Sequence, residues 1–298
     1  CHGRARVFGA HSLGLSKLQN RLGSFAYSGT LPSATDATTV IENKVLKLTI
    51  SNKGGYIVEA KLKDHTIYDG SPVYLIRDGN SSLNLQFSAE NRLLNSQDLY
   101  FEPSLTNNGE NTVLSMKLKV AEDKFLEYRY ELKPDEYMID FIIRSQGLSS
   151  SINSSQQLVL DWNLKAFKNE KSIRYENQQT EMYYEKEDEK IDYLSVGNED
   201  DAEETDVNWV AFKQHFFSSI LISDQGFEKA SLTSKSLVEN EDIDTTFTKQ
   251  FNLKAPIALE GGELNQKMNW YIGPNDYKIL KKYDRNIKEV VNLGWGIF

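Results

Sequence analysis

The sequence predicts a large antiparallel β-sandwich, and three observations indicate this fold class. Apolar and polar residues alternate with a period of two in one run after another between residues 40 and 272. These runs are short, they recur at regular intervals, and turn residues separate them. Helical spacing is scarce before residue 274. The chain has 298 residues and can bury a sizeable core, so we expect the sandwich to span residues 31–273.

Residues 1–30 differ in character from the rest of the chain. The first six residues are basic or small, and Leu15, Leu18 and Leu22 have helical spacing without a capping residue. We therefore expect a leader or linker in this region, either disordered or derived from an expression vector.

The clearest local prediction is a β-hairpin within residues 40–63. Leu46, Leu48 and Ile50 alternate with polar residues, the Gly-containing turn 52–55 follows, and a second alternating run begins at Tyr56. The same pattern predicts further strands at residues 114–120, 126–132, 137–143, 158–162, 209–222, 247–253 and 268–272.

Residues 181–206 form an acidic stretch in which Lys186 and Lys190 are the only cations. Calcium would favour such oxygens, but the stretch lacks the D-x-[DN]-x-[DN]-G pattern of a calcium-binding loop. Because charge runs are usually solvated, the sequence predicts an exposed loop here.

Composition excludes several classes of function. A net charge of −9 is unsuited to neutralising rows of phosphates, so no nucleic-acid partner is expected. No run of roughly 18 apolar residues is present to span a bilayer. Cys1 is the single cysteine, which excludes a disulfide within the chain. The first thirty residues also lack the apolar core of a signal peptide, so an exported protein would have its targeting segment outside this sequence.

The chain shows no constellation that predicts catalysis, and we expect no catalytic, cofactor-binding or metal-binding residue. The metalloprotease, nucleophile-elbow, paired-cysteine and phosphate-loop motifs do not occur. His65 follows a strand as a turn residue, whereas His215 lies in an apolar run as a structural histidine. Trp162 and Trp209 are the aromatic residues that we expect to line a cleft of the sandwich, if one exists.

The C-terminal end changes from strand to helix. A strand-like run stops at Gly273 and Pro274, and proline is tolerated at the first helical position. Helical spacing then predicts two short amphipathic helices, interrupted near residues 284–286. The apolar positions are Tyr277, Leu280, Tyr283, Ile287, Val290 and Val291. Residues 292–298 are an aromatic and apolar stretch, which suggests that the chain continues into a membrane helix.

Five stretches carry a family resemblance: residues 41–57 (IENKVLKLTISNKGGYI), 160–162 (LDW), 209–217 (WVAFKQHFF), 270–274 (WYIGP) and 293–298 (LGWGIF). In this order they resemble the periplasmic domain of the YidC family of membrane-protein insertases. The helical end at residues 277–291 resembles it too, and residues 25–34 (FAYSGTLPSA) look like a Bacteroidetes-type member. The resemblance covers roughly residues 30–298.

The resemblance implies a galactose mutarotase-like β-supersandwich at the periplasmic face of the bacterial inner membrane. It would lie between a first transmembrane helix and a membrane-embedded insertase core, both outside this sequence, with residues 274–298 leading to the second transmembrane helix. Implied partners are that core, Sec translocon components such as SecF, and nascent membrane proteins. The residues implied to dock onto the membrane part are Tyr277, Leu280, Tyr283, Ile287 and Val291.

The expected function is therefore a non-enzymatic domain that assists membrane-protein insertion and folding. The alternative is a sugar-binding or aldose-epimerase-like protein on the same architecture, for which mutarotation measured by polarimetry is the discriminating observation. A binding module for carbohydrate or peptide without turnover is a further possibility. For the first function, we expect deletion of residues 276–291 to impair insertion more than trimming of residues 181–206.

Overall fold

The computed structural model describes residues 4–194 and 197–291, with side chains from residue 13 onward. Strands dominate it, and every strand pairing is antiparallel, which confirms the predicted fold class. The strands are β1 (Thr38–Glu42), β2 (Leu46–Ser51), β3 (Ile57–Thr66), β4 (Pro72–Ile76), β5 (Ser81–Ala89), β6 (Arg92–Asn95), β7 (Glu102–Asn108), β8 (Asn111–Ala121), β9 (Lys124–Leu132), β10 (Met138–Gln146), β11 (Leu158–Phe167), β12 (Glu181–Lys186), β13 (Lys190–Tyr193), β14 (Glu199–Lys213), β15 (Phe217–Ser236), β16 (Phe247–Ile257) and β17 (Asn265–Pro274).

Helices are few and short after the first one. The α-helices are α1 (Arg4–Leu22), α2 (Ile173–Gln179) and α3 (Tyr277–Lys281), and the 3-10 helices are Gly23–Thr30, Ser96–Asp98, Glu187–Glu189 and Ile287–Val290. Across residues 4–194 and 197–291, no helix combines the length and the apolar character needed to cross a membrane.

The strands form two sheets. One has the order β1-β2-β3-β4, and the other has thirteen strands, ordered β6-β5-β11-β16-β15-β17-β10-β9-β8-β7, with β12, β13 and β14 attached through β15. The predicted hairpin is confirmed as β2 and β3. Gly54 and Gly55 have φ of 84° and 66° in its turn, and a Cβ atom on Gly55 would lie 2.8 Å from the Phe101 ring.

Aromatic side chains fill the centre of the core. The ring of Trp162 stacks on that of Phe212 with centroids 3.7 Å apart, and Trp270 meets Trp162 edge-on at 5.6 Å. Trp162 on β11 is 0% exposed, so the prediction that it lines a cleft is wrong. β11 pairs with β5 at one edge and with β16 at the other, so Trp162 lies on an interior strand of the sheet.

Residues 4–30 differ from the expected disordered leader. Here α1 is followed by a 3-10 helix, and Phe25 in that helix is 0% exposed. Its ring centroid lies 5.1 Å from that of Phe87 on β5. Leu22 and Ala26 are also buried, so the core extends further towards the N-terminus than residue 31.

The acidic stretch at residues 181–206 is largely β-structure, so the prediction of a loop is wrong. β12, β13 and the first half of β14 lie within it. Along β14 the charges occupy the solvated faces of a strand, where Glu199 pairs in register with Lys235 of β15 and Thr205 with Lys229. Within the described ranges, no group of three acidic, histidine or cysteine side chains is arranged to hold a metal ion.

The apolar run at residues 209–222 contains two strands instead of one. β14 ends at Lys213, β15 begins at Phe217, and residues 214–216 turn the chain between them. Phe216, inside the predicted strand, lies in this turn and is 53% exposed.

Candidate docking site at the C-terminal segment

The C-terminal segment, residues 277–291, begins with a capped helix. Asp276 is the N-cap of α3, and its Oδ1 accepts hydrogen bonds from the N–H groups of Lys278 at 2.8 Å and Ile279 at 3.2 Å. The expectation that Pro274 starts the helix is wrong, because Pro274 is the last residue of β17 and pairs with Phe217. A carboxylate can cap the free N–H groups of a helix, whereas proline cannot.

The apolar side chains of the segment pack inward. Leu280 is 1% exposed, and Ile287 and Val290 are 0% exposed. They join the core of the sandwich, and Val291 is partly buried against it. Leu280 and Ile287 therefore hold the segment on the sandwich, and a partner cannot reach them without displacing it.

The two tyrosines of the segment are intermediate in exposure. Tyr283 meets Tyr271 of β17 edge-on, with ring centroids 5.9 Å apart, and burial raises the pKa of Tyr283 to about 12. Tyr277 is half-buried, whereas Lys281 and Lys282 next to it are exposed. The outward surface of the segment therefore combines a tyrosine with ammonium groups, and the predicted side chains Leu280 and Ile287 lie beneath it.

Polar contacts fasten the turn between α3 and the 3-10 helix Ile287–Val290. Arg285 Nη1 lies 3.2 Å from Asp224 Oδ1 and 3.1 Å from Asn269 Oδ1. Asn286, at φ 61°, donates from Nδ2 to Glu185 Oε2 at 2.6 Å. Glu185 of β12 is 4% exposed, and its Oε1 accepts a second bond from Asn208 at 2.9 Å. A buried carboxylate thus joins the segment to β12 and β14.

Trp209 lies beside this segment, where it contributes to the wall of a second recess of about 510 Å³ with Leu280 and Arg285. It pairs in register with Glu185 of β12 and Ile222 of β15 and is 0% exposed. Its side chain is closed off from solvent although the residue borders this recess, so the cleft position expected for Trp209 stays a prediction. Trp162 and Trp209 are both core residues on central strands.

An open recess lies beside the start of the C-terminal segment, and we call it the aromatic recess. Its volume is about 570 Å³, and its walls come from the end of β3, the chain before α2, the β14–β15 turn and the end of β17. Its lining includes His65, Tyr68, Glu170, Phe216, Pro274 and Asp276.

Two imidazole–carboxylate pairs stand at the aromatic recess. His65, expected in a turn, lies in β3, and its Nδ1 is 2.8 Å from Asp64 Oδ1. His215, expected as a structural strand residue, lies in the β14–β15 turn, and its Nδ1 is 2.9 Å from Glu170 Oε2. Sequence reasoning missed that one member of each pair, His65 and Glu170, lines the same recess.

The carboxylate partner of His65 is held from behind. Tyr137 donates its hydroxyl to Asp64 Oδ2 at 2.6 Å. Burial would raise the pKa of Asp64, but hydrogen bonds from Tyr137 and His65 lower it overall. The arrangement can orient each ring and bind polar groups of a ligand.

Comparison with known proteins identifies the family. The family model described as the YidC periplasmic domain matches residues 38–298. A Parabacteroides distasonis protein named membrane protein insertase YidC is 34% identical over 288 residues, covering 92% of this chain and 44% of the relative. Its Phocaeicola vulgatus counterpart is 34% identical over 273 residues, covering 88% and 43%. The chain thus spans less than half the length of these relatives.

Among solved structures, the periplasmic domain of Thermotoga maritima YidC is 13% identical, with a TM-score of 0.45, covering 87% of this chain and 96% of that one. An Escherichia coli putative aldose 1-epimerase is 9% identical, with a TM-score of 0.47, covering 80% and 99%. The family-model match and the curated relatives establish that this chain belongs to the YidC periplasmic domain family.

Proposed function

We propose that this chain is the non-enzymatic periplasmic domain of a membrane-protein insertase at the inner membrane. In this proposal the larger protein assists insertion and folding of nascent membrane proteins. The domain contacts Sec translocon components such as SecF, and its C-terminal segment docks onto the transmembrane core. The family match and the names of the relatives support the proposal.

The observation that carries this proposal is the fastening of the C-terminal segment to the sandwich. Leu280, Ile287 and Val290 are buried, and Asn286 bonds to the buried Glu185. A segment held in this way presents its outer surface in a fixed orientation, so less conformational entropy is lost when a partner binds. Tyr277, Lys281 and Lys282 form the part of that surface that we assign to docking. Residues 292–298, which the sequence suggested lead to a membrane helix, lie outside the described residues.

An insertion assay in the complete insertase tests this docking role. We expect Tyr277→Ala combined with Lys281→Glu and Lys282→Glu to reduce insertion of a model membrane protein several-fold, because these side chains face outward. The matched control is Leu105→Ser on β7, which is 56% exposed and distant in sequence. Equal insertion by the triple variant and the control would count against docking. Trimming residues 181–206 is no neutral control, because it removes β12 and half of β14.

A second candidate function is favoured by one observation, the two imidazole–carboxylate pairs at the aromatic recess. Ring opening of an aldose needs an acid and a base, and histidine with a carboxylate is a usual combination. Polarimetry on anomerically pure hexoses tests it. Mutarotation above the buffer rate, lost in His65→Ala and His215→Ala, would favour an aldose-epimerase-like activity over the non-enzymatic function.

A further inference from the structure

The aromatic recess exposes large apolar side chains at a concave site. Tyr68 is 56% and Phe216 is 53% exposed, and both line the recess with Ile67, Phe217 and Pro274. Exposed aromatic side chains around a pocket are typical of surfaces that receive a partner's side chain. The volume of about 570 Å³ lies in the range of natural ligand sites.

One wall of the recess is built rigidly. Glu176 of α2 is 1% exposed, and its Oε2 accepts the N–H groups of Asn169 at 2.7 Å and Glu170 at 2.9 Å. Burying a carboxylate is costly unless it is hydrogen-bonded, and here both bonds hold the turn that carries Glu170. Glu170 is in turn oriented by His215. The wall is therefore preorganised before any ligand arrives.

Carboxylates outnumber ammonium groups around the recess. Glu170 and Asp276 line it, and Asp64 lies behind His65. The ammonium groups are Lys171, which lines the recess, and Lys168, whose Nζ lies 5.2 Å from the Tyr68 ring centroid. The net charge of −9 adds a long-range preference for cationic partners.

We propose that the aromatic recess binds an apolar side chain of an extended peptide that carries a lysine or arginine beside it. This inference rests on the proposed function, in which the domain meets extended segments of nascent membrane proteins. Tyr68 and Phe216 contact the apolar side chain, and Glu170 and Asp276 receive the cation. A bilayer surface suits the recess less well, because the site is concave and has carboxylates in its wall.

A peptide-binding measurement on the 298-residue chain tests the proposal. The probe is a fluorescein-labelled soluble nonapeptide with two phenylalanines and four lysines, followed by fluorescence anisotropy. Two matched peptides replace the lysines with glutamates or the phenylalanines with serines. We expect the first peptide to bind at least about tenfold more tightly than either matched peptide, since both the apolar and the charged contacts contribute.

Variants of the recess locate the binding. We expect Phe216→Ser and Tyr68→Ser to weaken binding of the lysine peptide about tenfold each, while Leu105→Ser leaves it unchanged, because Leu105 is equally exposed on β7. We expect Glu170→Gln to weaken the lysine peptide and to have little effect on the glutamate peptide. Circular dichroism and the unfolding midpoint of each variant check that the fold is retained.

Three outcomes would overturn the proposal. They are equal binding of the lysine and glutamate peptides, binding unchanged by Phe216→Ser and Tyr68→Ser, and either displacement of the peptide by millimolar galactose or co-sedimentation of the chain with anionic vesicles that is lost in both variants. The last outcome would assign the recess to a sugar or a lipid surface. The proposed function is tested separately by the insertion assay on the C-terminal segment, so either idea can fail while the other stands.

Discussion

Glu176 is the residue whose burial has the clearest consequence for pH dependence. Burial raises its pKa to about 7, although the N–H groups of Asn169 and Glu170 favour its ionised form. The folded state therefore holds a proton that the unfolded state has released. The resulting stabilisation is complete below the ordinary carboxyl pKa and is lost as pH rises through about 7.

The substitution Glu176→Gln tests this consequence. The amide oxygen can still accept both backbone bonds, but the side chain no longer ionises. We expect the free energy of unfolding of the variant, relative to the parent, to increase by about 2 kcal/mol between pH 5.5 and pH 8.5 in urea titrations. Glu187→Gln, on an exposed side chain, is the matched control and should give a flat difference. A flat difference for Glu176→Gln as well would contradict the assigned pKa.

Lys249 gives the opposite pH dependence. It is 0% exposed, its Nζ donates to the carbonyl oxygen of Thr180 at 2.6 Å, and burial lowers its pKa to about 8. The unfolded chain then binds the proton more tightly, so stability increases as pH rises from about 8 towards the ordinary lysine pKa. We expect the free energy of unfolding of the parent, relative to that of Lys249→Met, to increase by on the order of 1–2 kcal/mol between pH 7.5 and pH 9.5. Exposed Lys190→Met should show no such gain in the same titration.

At the scale of elements, Asn286 decides how firmly the C-terminal segment is held. Its φ of 61° suits asparagine better than alanine, and its amide bonds to Glu185. We expect Asn286→Ala to cost about 1–2 kcal/mol of local stability, because it strains the backbone and leaves a buried carboxylate oxygen without this donor. Amide hydrogen exchange of residues 277–291 measures the change. Glu289→Ala, at an exposed position of the same segment, should leave exchange unchanged. Equally faster exchange in that variant would show that the effect does not depend on the bond from Asn286 to Glu185.

The sequence predicted those elements whose signal is local. The β2–β3 hairpin follows from period-two alternation around Gly54 and Gly55, and the two short helical turns of the C-terminal segment follow from helical spacing. The acidic half of β14 was missed because its order comes from pairing with β15, which begins after a turn and bends back alongside it. A charged strand and a charged loop cannot be distinguished by their own residues, because only the pairing with a neighbouring strand separates them.

The polar contacts of both sites had no local signal. Asn286 and Glu185 are 101 residues apart in sequence, and His215 and Glu170 are 45 apart. Each residue alone resembles an ordinary surface position, and only the fold brings the partners together. The prediction for Trp162 was wrong for the opposite reason, because its residue type was read and its burial was not. Aromatic residues suit clefts and cores alike, and burial on central strands could not be deduced from their composition.

At the scale of the whole molecule, one continuous core unites both sheets with residues near each end of the described chain. Leu22 and Phe25 contribute to it from the N-terminal side, and Ile287 and Val290 from the C-terminal side. We therefore place the N-terminal boundary of the folding unit before residue 22, and not at residue 31 as the composition suggested. The C-terminal segment belongs to the same unit.

Truncation and substitution at the N-terminal side test this boundary. Phe25 is 0% exposed and its ring contacts Phe87, so we expect Phe25→Ala to lower the free energy of unfolding by about 3 kcal/mol in urea titrations. Removing residues 1–30 should lower the free energy of unfolding by at least as much, because the buried residues Leu22, Ala26 and Ser28 are removed together with Phe25. Removing residues 1–14 should cost little, since Leu13 is 64% exposed. An equal urea midpoint for the parent and for a chain that begins at residue 31 would contradict this boundary. It would show that residues 22–28 contribute no side chain to the stability of the core, as expected for a separate leader.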